Sequence, residues 1–236
     1  MQISLILTPY EPLEIPLNYN YQLQSAIYSK LKEVGASDFW HDCGFGEKET
    51  FKFFVFSPLS GNYKIVDKKI IFQDKINLEI RSPFFEFCDD LQRSIELNPT
   101  IKIFNQVLDV SGAFFYNRHI NSDSVIFKTI SPIMLSEKTE AEKTVFIKPV
   151  SHDFVYRLQE NFYKKYKAVF DGQPPELKIE LMEKGKKVVT QYKEIWLTGY
   201  HCTLKITGPD HALEFIYNTG LGERNSQGFG LMDIIQ

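Results

Sequence analysis

The 236-residue sequence has only three cysteines, Cys43, Cys88 and Cys202, which cannot all pair within one chain, and none stands in a CxxC spacing. That count argues against a disulfide framework and suits a reducing compartment, so the cytoplasm is expected. Long apolar runs are missing too: no stretch approaches the roughly 20 residues a membrane-spanning helix needs, and no membrane association is expected. The opening MQISLILTPYEP lacks a basic leader and breaks at Thr8 and Pro9, so it reads as a first strand and not as a signal peptide. The five histidines, His41, His119, His152, His201 and His211, show neither HExxH nor a paired-ligand spacing, and no metal site or cofactor is expected. Excess positive charge is also absent. A net charge of −3 gives no overall basic field of the kind a sequence-blind nucleic-acid binder uses.

What the chain does have is aromatics, 12 Tyr and 20 Phe, enough for a large core and for stacking surfaces. Its charge is uneven. Residues 1–147 hold 15 Lys and Arg against 19 Asp and Glu, whereas residues 148–236 hold 12 against 11. Basic clusters stand at 63–69 (YKIVDKK), 162–167 (FYKKYK) and 184–187 (KGKK), two of them interleaved with aromatics. Solvated faces and hairpin tips are the ordinary places for such clusters.

Periodicity predicts a strand over 3–8 and a helix over 18–35, with Asn18 or Asn20 as cap, Leu23, Ile27, Leu31 and Val34 as apolar stripe and Gly35 as stop. FKFFVFS (51–57) reads as a buried strand. Strand pieces at 63–72 and 76–81 joined by QDK, a helix over 83–98 and a strand over 100–110 complete a strand-helix-strand-strand-helix-strand order. The second half repeats it. Strand material lies at 124–135 and 143–150, a helix over 151–170 begins at Ser151, strands lie at 175–182 and 200–208, a short helix at 209–220 and a last strand at 230–235. The predicted fold class is α+β, with two tandem ferredoxin-like (βαββαβ) domains built on antiparallel sheets, residues 1–123 and 124–236.

Just before the last strand stands NTGLGERNSQGFG, with Gly220, Gly222, Gly228 and Gly230 around Arg224, Asn225, Ser226 and Gln227. It runs from helix into strand, the reverse of the dinucleotide-binding and P-loop order, so those readings are disfavoured. A loop of open amides, one Arg and small polar side chains suits a phosphate backbone. Among the histidines, His41 stands apart. It lies in the long loop GASDFWHDCGFGEKET, and loops concentrate functional residues.

Four stretches carry a resemblance that spans nearly the whole chain: YNYQLQSAIYSKL, a His followed by FKFFVFSPL, GQPPELKIEL after the long helix, and GLGERNSQGFG. With these the sequence resembles the CRISPR-associated RNA-processing endoribonucleases, the Cas six family of the RAMP superfamily. The resemblance implies that His41, Tyr28 and Lys52 are catalytic. It also implies that Gly220, Gly222, Arg224, Asn225, Ser226, Gly228 and Gly230 contact RNA, with CRISPR repeat RNA (precursor crRNA) as partner. Lys48 is the alternative to Lys52, because the loop between His41 and Lys52 is longer than in compact family members. Association with other Cas effector subunits and homodimer formation are left open.

Those residue types suit metal-independent RNA scission, which needs a base for the 2′-hydroxyl, an acid for the leaving 5′-oxygen and a cation for the charge growing on phosphorus. Imidazole can serve as base or acid near neutrality. A tyrosine, with an ordinary pKa near 10, more plausibly orients or donates. Two other readings stay open: a non-catalytic RNA-binding subunit of a CRISPR effector complex, and a ferredoxin-like enzyme acting on a small molecule in a deep apolar pocket.

Overall fold

A computed structural model describes residues 1–46, 50–150 and 152–235, without the side chains of Asp42, Cys43, His152 and Lys184. Lys48, and Ser151 at the expected start of the third helix, lie outside the described residues. The first unit comprises β1 (Gln2–Pro9), β2 (Leu13–Pro16), α1 (Asn20–Glu33), β3 (Val55–Phe56), β4 (Ser60–Val66), β5 (Lys69–Arg81), α2 (Phe85–Leu97), β6 (Thr100–Ile103) and β7 (Gln106–Tyr116). β5 carries β1 and β2 on one edge and β3 and β4 on the other, while β7 joins the far edge of β1, all antiparallel. Alternation along β1 turns Ile3, Leu5 and Leu7 inward, where they form one core with Leu23, Ile27 and Leu31 of α1 and Phe87 and Leu91 of α2.

The second unit comprises β8 (Ser124–Thr129), the small hairpin β9 (Ser136–Lys138) and β10 (Thr144–Phe146), α3 (His152–Lys167), β11 (Lys178–Tyr192), β12 (Ile195–Thr207), α4 (Asp210–Thr219) and β13 (Met232–Ile234). Its sheet order is β11-β12-β8-β13, again antiparallel. In each unit the third main strand lies beside the first, and the fourth takes the first strand's other edge. This is the ferredoxin-like arrangement, so the chain is an α+β tandem of two such folds.

Several element boundaries differ from expectation. β5 runs unbroken through Gln73–Lys75, which are exposed and hence polar; the chain reverses instead at Asp67 and Lys68, at φ 48° and 62°. Two successive positive φ values are what a tight two-residue hairpin turn needs. Residues 100–110 likewise split at Phe104 (φ 54°) into β6 and β7. Of the buried run Phe53–Phe56, only Val55 and Phe56 pair as strand. The 184–187 cluster marks irregular pairing inside β11 and is no hairpin tip.

Neither Asn18 nor Asn20 caps α1, whose N-cap is Tyr19 with no side-chain cap bond. Both reach the second unit instead. Asn18 Oδ1 accepts from Gln191 N (3.1 Å) and Thr190 Oγ1 (2.9 Å), and Asn20 Nδ2 donates to Gln227 O (2.9 Å). Arg81, 1% exposed, crosses the same junction: its Nη1 donates to Met232 O (2.6 Å) and Tyr217 O (3.2 Å), and its guanidinium lies 3.6 Å from the Tyr217 ring centroid. The Met1 ammonium donates to Ser82 O (2.9 Å) and Asn218 Oδ1 (3.0 Å). Among the described residues no helix is long and apolar enough to cross a membrane.

Candidate active site

His41 sits, exposed, in a π-helical turn over Phe39–Cys43 that follows α1. The turn is anchored by Trp40. That side chain is 5% exposed, its ring meets Phe87 edge-on at 5.2 Å, and its Nε1 donates to Asp90 Oδ2 of α2 (2.9 Å). Tyr28, half-buried on α1, stands edge to face with the His41 ring (4.7 Å, 80°) and with Phe54 (5.4 Å). Phe54 under α1 thus packs against the tyrosine, and the tyrosine packs against the imidazole.

The long loop after His41 closes on itself. Phe45 and Phe51 exchange both backbone hydrogen bonds (3.0 and 2.8 Å), and the Phe45 ring stacks on Phe84 at 4.5 Å. This closure returns Lys52 to the turn: a Cβ built on Gly44 would come within 2.9 Å of Lys52 Nζ. Loop length therefore does not carry Lys52 away. Tyr28 and His41 are in ring contact, and Lys52 Nζ lies beside Gly44, three residues past His41. Among the described residues no group of three His, Cys, Asp or Glu side chains is placed to hold a metal ion.

Lys52 also lines a cleft of about 280 Å³ between the units, whose other walls include Thr50, Asn161, Lys165, Glu223, Arg224 and Ser226. Here the glycine-rich loop closes the far side. Gly220, Gly222, Gly228 and Gly230 all hold positive φ, between 74° and 84°, a region open to glycine without steric cost. Close approach adds to the requirement at Gly228, where a Cβ would fall 2.7 Å from Phe56 Cε2 and 2.8 Å from Asn20 Nδ2.

The amides of Gly220, Gly228 and Gly230, expected to be open, already donate within the protein, to Ile216 O, Asn225 O and Pro132 O, each at 2.9 Å. Asn225 is buried as well, and its Nδ2 donates to Leu221 O (3.2 Å) and Phe229 O (3.0 Å). These residues build the loop's shape. Its outward groups are Arg224, exposed at φ 57°, and Ser226 and Gln227, half-buried.

Sequence reasoning missed Lys165. A solvated face was the ordinary expectation for the cluster at 162–167, yet Phe162, Lys165 and Tyr166 are buried. Lys165 Nζ donates to Gly220 O (3.1 Å), Gly222 O (2.8 Å) and Asn225 Oδ1 (2.5 Å). A signal was available: position 165 continues the stripe of Phe154, Leu158 and Phe162 at helical spacing, and a lysine on an apolar stripe needs partners.

Two family models match this chain in order. Residues 14–113 match CRISPR-associated protein Cas6, N-terminal, and residues 116–234 match CRISPR associated protein Cas6, C-terminal. The CRISPR-associated endoribonuclease Cas6 1 of Methanocaldococcus jannaschii is 29% identical over 98% of this chain and 92% of its own length. The CRISPR-associated endoribonuclease Cas6 of Pyrococcus furiosus is 22% identical over 94% of this chain and 84% of its own. Among solved structures, a CRISPR associated protein Cas6 matches with a TM-score of 0.83 at 29% identity, covering 100% of this chain and 99% of that one. The product of a Cas6-related gene from Pyrococcus furiosus matches with a TM-score of 0.86 at 26% identity, covering 100% and 98%. A RAMP protein binding different RNA substrates shares the fold, at 24% identity and a TM-score of 0.84, covering 100% of each chain. With both halves matched in register and the tandem fold superimposing end to end, this chain belongs to the CRISPR-associated Cas6 family.

Proposed function

We propose that this protein is an endoribonuclease that binds CRISPR repeat RNA and cuts precursor crRNA without a metal ion. The observation that carries the reading is the packing of the His41 ring against Tyr28, with the Lys52 ammonium beside Gly44 at the end of the same turn. The relatives named as Cas6 endoribonucleases support the activity. In this reading residues 1–123 supply the catalytic groups and residues 124–236 the glycine-rich loop.

The attacking oxygen is the 2′-hydroxyl beside the scissile phosphate. The hydroxyl gives up a proton and the departing 5′-oxygen gains one; His41 makes one of these two transfers and water makes the other. As 2′-oxygen bonds to phosphorus, the bond from phosphorus to the 5′-oxygen breaks, leaving a 2′,3′-cyclic phosphate upstream and a 5′-hydroxyl downstream. Lys52 stabilises the charge that grows on the phosphorane oxygens, and Tyr28 fixes the imidazole's orientation. Arg224 and Ser226 face the RNA backbone, while Gly220, Gly222, Gly228, Gly230 and Asn225 act through the shape of their loop.

The test is incubation of the protein with its own repeat RNA in excess EDTA, with both new ends mapped. Cleavage should persist, and a single 2′-deoxy nucleotide at the scissile position should abolish it while binding survives. His41→Ala should abolish cutting and leave affinity within about fivefold, since a proton carrier adds little ground-state binding. Cleavage of the deoxy substrate, or a 5′-phosphate product that needs added Mg²⁺, would overturn the mechanism. Repeat binding with no cutting by the unaltered protein would leave a non-catalytic RNA-binding subunit.

A further inference from the structure

Lys165 is 4% exposed, and its ammonium meets three oxygens, none of them a carboxylate. Holding a charge in the interior without a counter-ion is strongly unfavourable. Glu223 is the acid that lines the same cleft, and its carboxylate is committed elsewhere, accepting from Ser136 N (3.0 Å) and Ser136 Oγ (2.7 Å). Among the described residues the other charged groups lining the cleft are Lys52 and Arg224, both cations. Burial pulls Lys165 down to about 7, with the more distant attraction of Glu223 opposing it.

No carboxylate stands among the three partners of the Lys165 ammonium, and a phosphodiester bound in the cleft supplies the missing negative charge. We propose that Lys165 is a positioning residue whose ammonium form shapes the glycine-rich loop and takes the RNA phosphate as its counter-ion, so that repeat RNA binding takes up a proton. The inference rests on the RNA-binding reading given above. A neutral amine has two N–H groups for three acceptor oxygens and turns its lone pair toward one of them, so the loop loses a tether. Phosphate in the cleft favours the ammonium form, and the added proton comes from solvent. The complex then binds more protons than its separated partners. Affinity therefore falls as pH rises above about 7, by at most about tenfold per pH unit for one proton.

Calorimetric titration with 2′-deoxy-blocked repeat RNA, at about pH 8 in two buffers of different ionisation enthalpy, reads that proton directly. The unaltered protein should show net uptake. Lys165→Met should lose it and bind more weakly, and the difference between the two removes any proton that His41 contributes. Lys165→Arg, charged throughout, should bind with a flatter pH dependence than the unaltered protein. No uptake by the unaltered protein overturns the proposal, and so does equal uptake in the Met or Arg variant. Because the first measurement needs no variant, a misfolded substitution cannot rescue the idea. Failure of the functional reading would look different: the unaltered protein would neither bind nor cut the repeat.

Discussion

Tyr28 meets His41 ring to ring at a steep angle, a contact that phenylalanine would keep. Tyr28→Phe should therefore slow single-turnover cleavage by roughly tenfold or less, against roughly 10² to 10⁴ for loss of the proton carrier, and Tyr28→Ala should fall between them. A Phe variant as slow as His41→Ala would make the hydroxyl the proton donor. At Arg224 the residue is already left-handed, and alanine bears the same backbone strain. Arg224→Ala thus reports the guanidinium alone: the slope of log K against log salt should shrink by about 0.7, the value for one phosphate contact on a single strand. Gly228→Val tests shape instead of charge. Its Cβ has no room between Phe56 and Asn20, so thermal stability and RNA affinity should fall together, with a loss of about 1–3 kcal/mol in folding free energy.

The π-helical turn is where element and site meet. Trp40 pins it to α2, and Trp40→Ala should cost about 3–5 kcal/mol and free the His41 turn, lowering the cleavage rate at saturating RNA more than the affinity. Rate and affinity falling equally would separate the turn from the chemistry. The strand-helix order of both units was legible because β1, α1, α2, α3 and α4 carry clean period-2 or helical stripes. Turns were harder. Asp67, Lys68 and Phe104 take positive φ values without a glycine to announce them, whereas the exposed Gln73–Lys75 imitated a break. Tyr28, His41 and Lys52 were named through a resemblance of motifs, but the placement of Lys52 beside Gly44 depends on the Phe45–Phe51 pairing. Only the folded chain shows that closure. Asn18 and Asn20 looked like caps since caps are the commonest use of asparagine before a helix, and tertiary partners on the second unit outcompeted that local role.

At the scale of the molecule, the two cores are joined by buried polar bonds. Arg81 serves carbonyls from α4 and β13 at once, and Arg81→Met would strand both while leaving Glu79 without its cation. The expected loss is about 3–5 kcal/mol, read as a lowered melting temperature with no change in the cleavage products. With the units pinned at Met1, Asn18, Asn20 and Arg81, and the glycine-rich loop already bonded inside the protein, the described walls of the cleft are largely set before a ligand arrives, the Lys165 tether excepted. Conformational work then falls to the nucleic acid. On the proposed reading, a repeat with a fold of its own should associate at the pace at which it exposes its scissile strand, so stopped-flow binding rates should follow substitutions that change the RNA's folding and stay level across protein variants outside the cleft.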